Sequence, residues 1–494
     1  MTQLFFVLPL IIVFLGAITL LLLSHSKQFD TIKLNFIAVI FLAISFFIQL
    51  LNIENNQNFF LFQSVFGNYF IVDKFAKIFD LAFTSGAGLM LLINHQYFKS
   101  RNYLNGEYFS LILFSVLGMI FLAHAHELLT VFIALEMASL SIYALVGYHT
   151  NNRKSAEAMM KYIVLGAMTG AFFMLGTALI YGAVGSTLLT DITAYVIAKE
   201  GQDITLLLVG SSFIMITIMF KIGAVPFHSW VIDVYNGASY PITMFMASTF
   251  KIAIFAIALR LYFVSFASIN FFWAEILQGV TIITLIGGSF IAINQNIIKR
   301  MLAGSSIVHS GYLLIAMSSI GLGSKVAGSA IMFYLIAYFF SAVGAFGILS
   351  FLSSKTKKEM SYEDFKGFAH KRPYMALMMS VFMLSLAGFP STIGFLGKFY
   401  IFTSAIESGQ ILLAGLGILI AFISVYYYFK LIAMMYFYTS DAPSKKFSIN
   451  ISTVCIAMLA ILVIWGGIGT SLIPFIPNAD SFMDIAKEAI GSLG

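Results

Sequence analysis

Long apolar runs recur along the whole chain of 494 residues and constrain its fold more than any other feature. A helix that crosses the hydrocarbon core needs about 20 predominantly apolar residues, and the sequence contains fourteen such runs. Charged residues make up only 10% of the chain, whereas soluble domains carry roughly a quarter. The sequence therefore predicts an all-α polytopic membrane protein with fourteen transmembrane helices. Predicted helices 1 to 14 cover, in chain order, residues 4–24, 32–52, 72–94, 108–126, 128–148, 156–184, 204–235, 238–263, 271–294, 299–320, 326–352, 373–406, 409–438 and 449–473.

The first apolar run, Leu4 to Leu23, has no basic segment before it and no small-residue cleavage site after it. Secretory signal peptides carry both features. We therefore expect this run to stay in the mature protein as its first transmembrane helix.

The cysteine content limits the chemistry that this chain can perform. One cysteine, Cys455, lies in predicted helix 14. It excludes a disulfide within the chain, a cysteine-ligated zinc site and a cysteine-held iron–sulfur cluster. The sequence also lacks a dinucleotide-binding fingerprint, a metal-ligand cluster and a sizeable soluble domain. We therefore expect no redox centre, no metal and no bound cofactor in this chain.

The loop charges predict the orientation, because lysine and arginine concentrate on the cytoplasmic side of membranes. Sixteen of these residues lie in odd-numbered loops, whereas even-numbered loops carry Lys199 and Lys325, with Arg260 at a helix end nearby. The odd-numbered loops, including the basic connector from Ser353 to Arg372, are therefore predicted to be cytoplasmic, and both termini periplasmic. The basic residues are spread over short loops rather than gathered in a patch, so nucleic-acid binding is not expected.

Two apolar runs contain a proline that is expected to break the helix: Pro226 in predicted helix 7 and Pro390 in predicted helix 12. The broken helices are five apart, and five is odd, so helices 4–8 and 9–13 are predicted to be two inverted five-helix repeats. Paired interrupted helices in inverted repeats are typical of transporters. The predicted parts are helices 1–3, a first repeat that opens to the cytoplasm, a second repeat that opens to the periplasm, and helix 14 with the C-terminal tail. They cover residues 1–107, 108–263, 264–438 and 439–494.

Five predicted helices carry a titratable residue at membrane depth: Glu136, Lys221, Lys251, His309 and Lys398. A lysine near the bilayer centre costs about 2.5 to 3.5 kcal/mol on insertion scales, so such residues should face protein or water and mark an ion path. Burial disfavours the charged form of a lysine, whereas a nearby carboxylate favours it. The row is therefore predicted to relay protons, with Glu136 close to Lys221.

Structural roles remain open for parts of this row. Glu136 and Lys221 could instead form an ion pair that holds helices 5 and 7 together. A lone intramembrane histidine such as His309 often packs by hydrogen-bonding to a carbonyl, although its two ring nitrogens also suit a relay.

Two further residues have both a structural and a functional interpretation. His228 follows Pro226 by two residues and is expected to hydrogen-bond the carbonyls that the break frees, with a part in the relay as the alternative. Lys161 stands four residues after Glu157 at the inner start of helix 6, so the two can form an i, i+4 ion pair. Lys161 could also feed protons to the row from the inner side.

Polar residues outside the row are interpreted as structural. Asp73, Lys77 and Asp80 share one face of predicted helix 3 and are expected to neutralise one another. His124 and its polar neighbours at the outer end of helix 4 are interpreted as an interfacial rim, with a proton exit as the alternative.

Four segments carry a resemblance to a known family. They read ELLTVFIALEMASLSIYALVGY (127–148), FKIGAVPFHSWVIDVYNGASYPIT (220–243), NIIKRMLAGSSIVHSGYLLIA (296–316) and LAGFPSTIGFLGKFYIF (386–402). In this order, and with similarity over nearly all fourteen helices, the chain resembles the proton-conducting antiporter-like subunits of respiratory complex I and of the cation/proton antiporters.

The resemblance implies a proton-translocating membrane-arm subunit of NADH:quinone oxidoreductase in a bacterial inner membrane. It assigns to this chain the helix 5 glutamate (Glu136), the helix 7 lysine (Lys221), the connecting helix 8 lysine (Lys251) and the helix 12 lysine (Lys398). NADH, FMN, iron–sulfur clusters and quinone would then belong to partner subunits, and the neighbours would be the antiporter-like M and L subunits and small membrane subunits. The alternative is a subunit of a multisubunit cation/proton antiporter, which the helix 7 motif disfavours.

Overall fold

The computed structural model describes residues 2–26, 28–52, 68–101, 104–199, 203–354, 359–439, 449–468 and 478–493. Every predicted transmembrane run contains helix, and predicted helices 7 and 12 are each divided in two. With labels that follow the predicted numbers, the helices are α1 (Thr2–Leu23), α2 (Thr31–Asn52), α3 (Lys74–Ile93), α4 (Gly106–His124), α5 (Leu128–Val146), α6 (Arg153–Val184), α7a (Thr205–Ile222), α7b (Ser229–Gly237), α8 (Tyr240–Ser265), α9 (Asn270–Ile293), α10 (Ile298–Gly321), α11 (Ala327–Ser353), α12a (Pro373–Ala387), α12b (Ile393–Glu407), α13 (Ile411–Tyr436) and α14 (Ile451–Ile468).

Within the described ranges, 12 helices are long and apolar enough to cross a membrane. This set leaves out α1, whose apolar part Val7–Leu23 is shorter, and the two halves of helix 12. The all-α multi-pass fold is thus confirmed, whereas the count of fourteen crossings stays a prediction.

The first half of each broken helix ends at a glycine in the left-handed conformation. The residues that cap α7a and α12a are Gly223 (φ 73°) and Gly388 (φ 84°), in the left-handed conformation that glycine adopts without steric cost. Pro226 and Pro390 follow closely and lack the N–H that would continue each helix. The predicted breaks in helices 7 and 12 are therefore confirmed.

The centre of the bundle is formed by helices that lipid does not reach. α8 and α10 are buried along their length, and α11 is buried over most of its length. α8 also contains two π-helical segments, Met246–Phe250 and Leu261–Ser265. Peripheral helices such as α9 and α13 expose large apolar side chains, among them Phe290 and Phe422. Polar groups on α8 and α10 therefore lie in protein rather than in hydrocarbon.

Charges from separate odd-numbered loops meet at one end of the bundle, where Arg101, Lys154 and Lys299 line one cavity. We call this end of the bundle the basic end. Six of the sixteen basic residues that predicted the orientation lie outside the described residues, namely Lys27, Lys355, Lys357, Lys358, Lys445 and Lys446.

Within the described ranges, two helices of ten or more residues lie outside the predicted runs. A short helix, Leu189–Ala198, follows α6, and a C-terminal helix, Ala479–Gly491, follows α14. The C-terminal helix packs against α11 and α3 and buries one face that includes Met483 and Ala486. The prediction of a tail after helix 14 was therefore incomplete, because a short amphipathic helix lacks the long apolar run on which the prediction relied.

Candidate functional site

The five titratable residues predicted at membrane depth all lie inside the bundle. Lys221, Lys251, His309 and Lys398 are each 3 to 4% exposed, and Glu136 is partly buried. They project from α5, α7a, α8, α10 and α12b. A polar row thus runs through the centre of the protein, where each group depends on its protein neighbours for hydrogen bonds.

Lys221 is held by hydroxyl groups of α5. Its Nζ donates to Ser139 Oγ and to Tyr143 OH, both at 2.8 Å, and it lies 5.2 Å from the centre of the Tyr143 ring. Glu136 stands three and seven residues before these two, on the same face of the helix. The serine and the tyrosine were not predicted as site residues, because hydroxyl residues are frequent on transmembrane helices.

The ion pair that the sequence suggested between Glu136 and Lys221 is not formed. Among the described residues, no lysine or arginine nitrogen lies within 4.0 Å of the Glu136 carboxylate. Glu136 Oε1 is buried without a hydrogen-bond partner in this part of the chain and faces Gly170 of α6, where an added Cβ would lie 3.3 Å away. The alternative of a structural ion pair between α5 and α7 is therefore contradicted, and Lys221 is held by two hydroxyl groups of α5 instead.

Lys251 directly follows the first π-helical segment of α8, and its side chain extends to α10. Its Nζ donates to Ser306 O (2.8 Å), Ser306 Oγ (2.5 Å) and Ser310 Oγ (3.0 Å). Ser310 in turn donates to Ile222 O at 2.7 Å, which is a freed carbonyl at the α7 break. One hydroxyl therefore connects Lys251 to the backbone next to Lys221.

His309 lies between two tyrosine hydroxyls. Its Nδ1 is 2.6 Å from Tyr334 OH and its Nε2 is 3.0 Å from Tyr428 OH. A hydroxyl both donates and accepts, so either ring nitrogen can carry the proton. The packing alternative expected a carbonyl partner, and these hydroxyl contacts replace it.

Lys398 caps the end of α12a. Its Nζ donates to Leu386 O (3.0 Å) and Ala387 O (2.9 Å) and lies 4.9 Å from the centre of the Tyr312 ring. A Cβ on Gly388 would lie 2.8 Å from Lys398 Cδ, so glycine is needed at the break both for its backbone angle and for the approach of this side chain.

Aromatic rings fill the space between Lys251, His309 and Lys398. Lys251 Nζ is 5.4 Å from the centre of the Tyr338 ring, and that ring is 4.7 Å from the ring of His309. The His309 and Tyr312 rings are 5.8 Å apart, and Tyr312 faces Lys398. Ring faces attract ammonium groups, so cations in this row are stabilised without carboxylates.

The two secondary candidates lie apart from the row. Lys161 is half exposed and bridges Glu157 Oε1 (2.7 Å) and Asp233 Oδ2 (2.8 Å), so the predicted i, i+4 pair is confirmed. His228 lies at the α7 break beside the carbonyl of Pro226, and its Nδ1 has no partner among the described residues.

Other donors take the carbonyls at the end of α7a. Trp230 Nε1 donates to Phe220 O at 3.0 Å, and Ser310 Oγ donates to Ile222 O at 2.7 Å. The freed carbonyls at this break are therefore bonded mainly by groups that the sequence did not single out.

Lys299 is a buried charge that the sequence treated only as a loop charge. It is 5% exposed, and its Nζ donates to Ala238 O (2.5 Å) and Asn236 O (3.2 Å) and faces the Tyr240 ring at 4.5 Å. Its position directly after the loop between α9 and α10 concealed it, since charged residues at helix starts are usually exposed. The neighbouring Arg300 reaches outward toward a carboxylate.

A polar cavity of about 380 Å³ opens at the basic end above Lys299. Its wall includes Glu359, which accepts hydrogen bonds from Lys154 (2.6 Å) and Asn236 (3.3 Å). Partial burial raises the pKa of Glu359, but the bonds from Lys154 and Asn236 outweigh burial and hold the pKa below its ordinary value. The cavity is therefore lined by permanent charges of both signs, which water can solvate.

Within the described ranges, no group of three or more histidine, cysteine, aspartate or glutamate side chains is arranged to hold a metal ion. The side chains of the row, three lysines, a histidine and a glutamate, are groups that exchange protons. The arrangement suits proton transfer between lysine, hydroxyl and imidazole groups.

Comparisons with known proteins agree with this architecture. The family model described as "NADH:quinone oxidoreductase/Mrp antiporter, TM" matches residues 125–424. NADH-quinone oxidoreductase subunit N of Trichlorobacter lovleyi is 40% identical over 427 residues, which are 86% of this chain and 85% of that protein. Subunit N of Moorella thermoacetica is 36% identical over 418 residues, which are 84% of this chain and 86% of that protein.

Solved structures show the same fold. A chain of respiratory complex I from Thermus thermophilus with bound aureothin has a TM-score of 0.76 at 27% identity and covers 94% of this chain and 98% of its own length. A chain of the Mrp complex from Dietzia has a TM-score of 0.82 at 17% identity over 98% of this chain and 97% of its own length, which is a likeness of fold alone. The chain therefore belongs to the family of NADH-quinone oxidoreductase subunit N, an antiporter-like subunit in the membrane arm of respiratory complex I.

Proposed function

We propose that this membrane-arm subunit translocates protons through the row Lys221, Lys251, His309 and Lys398, with Glu136 as a tuning charge. NADH oxidation and quinone reduction in partner subunits drive the movement. The observation that carries the proposal is that three buried lysines are held by neutral acceptors. Among the described residues, no carboxylate oxygen lies within 4.0 Å of any of their ammonium groups.

Two opposing effects act on such a lysine. Desolvation disfavours the ammonium form, whereas oxygen acceptors and aromatic faces favour it. A carboxylate partner would add a strong bias toward the charged form, and these lysines have none in contact. A proton can therefore be gained or lost when a neighbouring charge, such as that on Glu136 or on the next lysine, changes.

Hydroxyl groups supply the transfer steps between the lysines, because each both accepts and donates a proton. Ser310 joins Lys251 to the α7 break next to Lys221, and Ser306 accepts from Lys251. Tyr334 and Tyr428 flank His309 on the way toward Lys398.

Proton access from the basic end is proposed through the cavity above Lys299. Lys299 and Ser306 lie seven residues apart on α10, which is about 10 Å along the helix axis. Between them, Tyr235 of α7b lies beside the Ser306 hydroxyl. In this proposal the first repeat, residues 108–263, connects the row to the basic end, and the second repeat, residues 264–438, connects it to the opposite face.

The proton pathway is tested with Lys251→Ala in the assembled complex, reconstituted in proteoliposomes. We expect the proton-to-electron ratio to fall strongly while NADH-driven quinone reduction and assembly continue, since removal of the ammonium interrupts the row. Lys325→Ala is the matched control, because that lysine is exposed in a loop. An unchanged ratio in Lys251→Ala contradicts the proposal, and sodium uptake in place of proton uptake favours an antiporter.

The membrane orientation is a separate part of the proposal: the basic end faces the cytoplasm of a bacterial inner membrane, and both termini face the periplasm. Since Cys455 is the one cysteine, Cys455→Ser gives a cysteine-free background. Lys366→Cys lies at the basic end in the connector, and Lys325→Cys lies at the opposite end. A membrane-impermeant maleimide applied to spheroplasts is expected to label Lys325→Cys and to spare Lys366→Cys until the membrane is opened. The reverse pattern contradicts the orientation.

A further inference from the structure

A second cavity, of about 460 Å³, lies outside the row, among the N-terminal helices. Most of its wall is apolar and comes from α1, α4 and α5, and its polar residues gather on α2, α3 and the end of α4. The apolar part includes Leu10, Ile11, Phe14, Leu117, Phe121 and Met137, and the polar part includes Gln49, Lys77, Asp80 and His124. An apolar cavity with a few convergent polar groups is the usual form of a small-molecule site.

The polar end contains a buried acid–base pair. His124 Nδ1 is 2.8 Å from Ile71 O, and His124 Nε2 is 2.8 Å from Asp80 Oδ2. A carbonyl only accepts, so Nδ1 carries a hydrogen, and the second contact needs one more proton, either on the imidazole or on the carboxyl group. The hydrogen-bond partner of Asp80 therefore lies on α4, outside the group of Asp73, Lys77 and Asp80 that the sequence interpretation considered.

Asp73 is also paired elsewhere, with Arg260 at 2.8 and 3.0 Å, so this neighbouring ion pair is closed on itself. The second oxygen of Asp80, Oδ1, is buried without a hydrogen-bond partner among the described residues, although the residue is only 6% exposed. In both proton positions of the Asp80–His124 pair, Oδ1 is an acceptor. A buried acceptor without a donor destabilises the protein, so a ligand that donates a hydrogen bond to Asp80 Oδ1 would be bound favourably.

A positive charge stands beside this acceptor. Lys77 is three residues before Asp80 on α3, donates to Asn52 O at 2.9 Å and lines the same cavity. Both residues lie within the first two turns of α3, which starts at Lys74: along the helix axis, Lys77 is about 4.5 Å and Asp80 about 9 Å from that start. The polar end of the cavity is therefore near one end of a transmembrane helix, at the depth of lipid headgroups, and the apolar end extends toward the bilayer centre.

We propose that this cavity binds one phospholipid whose headgroup carries a primary ammonium, of the phosphatidylethanolamine class. The ammonium N–H donates to Asp80 Oδ1, the phosphate lies toward Lys77, and an acyl chain occupies the wall formed by Phe14, Phe121 and Met137. A headgroup that is only anionic would leave Asp80 unpaired. A quaternary ammonium has no N–H to donate, so a choline headgroup would not replace ethanolamine. The proposal is independent of the proton pathway.

The first test uses the unaltered complex, so it does not depend on the folding of a variant. The purified, delipidated complex is titrated with mixed micelles that contain phosphatidylethanolamine, phosphatidylcholine or phosphatidylglycerol with identical acyl chains, and bound lipid is counted by native mass spectrometry. We expect one ethanolamine lipid to bind to this subunit about tenfold or more tightly than the other two, the factor that corresponds to a hydrogen bond to a charged group. Equal binding of ethanolamine and choline lipids overturns the proposal, and preference for phosphatidylglycerol shows an anion site instead.

The second test locates the bound lipid. Asp80→Asn keeps the shape of the residue but removes its charge, and Leu10→Trp fills the apolar part of the cavity. Both are expected to lose the tightly held ethanolamine lipid, whereas Asp484→Asn, a surface change on the C-terminal helix, retains it. Retention of the lipid by both cavity variants overturns the assignment to this cavity. Proton pumping is not the readout, so failure here and failure of the proton pathway are distinguishable.

Discussion

The breaks in α7 and α12 share one local cause, yet their freed carbonyls are bonded differently. At the α7 break the donors are neutral, the Trp230 indole and the Ser310 hydroxyl. At the α12 break the Lys398 ammonium donates to two carbonyls. Lys221 can therefore lose its proton without affecting the hydrogen bonds of the backbone, whereas proton loss at Lys398 weakens the two bonds to the end of α12a, because they lose the charge of the donor. The two broken helices therefore use a lysine for different purposes.

The largest expected effect concerns the side from which each lysine exchanges protons. Lys221→Ala is expected to block the uptake of protons from the basic end. Lys398→Ala is expected to leave loading intact and to block release on the opposite face, because it lies at the far end of the row. Proton uptake measured separately on each face of proteoliposomes checks this difference. Equal loss of loading in the two variants would remove the proposed division between the repeats.

Lys221→Arg sharpens the same measurement. It keeps the charge, but a guanidinium does not deprotonate near neutral pH. We therefore expect it to impair pumping as the alanine variant does. Normal pumping by Lys221→Arg would show that charge alone, without proton exchange, suffices at this position.

An intermediate effect is expected on stability. Lys398→Met removes a charged donor from two buried carbonyls, which costs about 1.5 to 3 kcal/mol. Lys221→Met leaves Ser139 and Tyr143, whose hydroxyls can turn to new partners, and should cost less. The thermal unfolding midpoints of the two variants in detergent measure the difference. Equal shifts would show that the α12 carbonyls find another donor, such as water.

The smallest effect is expected at the hydroxyl that joins Lys251 to the α7 break. Ser310→Ala removes this link but leaves Ser306 as an acceptor for Lys251, so pumping should fall by a few fold, on the order of 1 kcal/mol, rather than disappear. Ser319→Ala is the matched control, since that hydroxyl donates to Ile315 O within the same helix. Identical rates in the two variants would exclude Ser310 from the pathway.

Much of the fold followed from local signals. Apolar runs predicted where the helices lie, and a proline inside an apolar run predicted each of the two breaks. The five titratable residues stood out because a charge inside an apolar run is costly. The C-terminal helix was missed, since its buried residues recur every three or four positions along one face and do not form a continuous apolar run.

The partners of these residues did not follow from the sequence. Lys299 was counted only as a loop charge, whereas in the structure it is buried where α7b, α8 and α10 meet. Glu136 was expected close to Lys221, with an ion pair as one alternative, whereas the partners that hold Lys221 are Ser139 and Tyr143. Asp80 was grouped with its neighbours on α3, whereas its partner is His124 on α4.

The sequence by itself determined that this chain is a multi-pass helical membrane protein with two interrupted helices and costly charges at membrane depth, because hydrophobic length, proline chemistry and charge burial are properties of short segments. The tertiary structure alone decided which acceptor each buried charge uses. Hydrogen-bond distances of about 3 Å depend on how helices far apart in sequence pack and rotate against one another. No short segment contains that information. The packing of the helices decides that Lys221 is held by hydroxyl groups, whereas Lys398 donates to the carbonyls at the end of α12a.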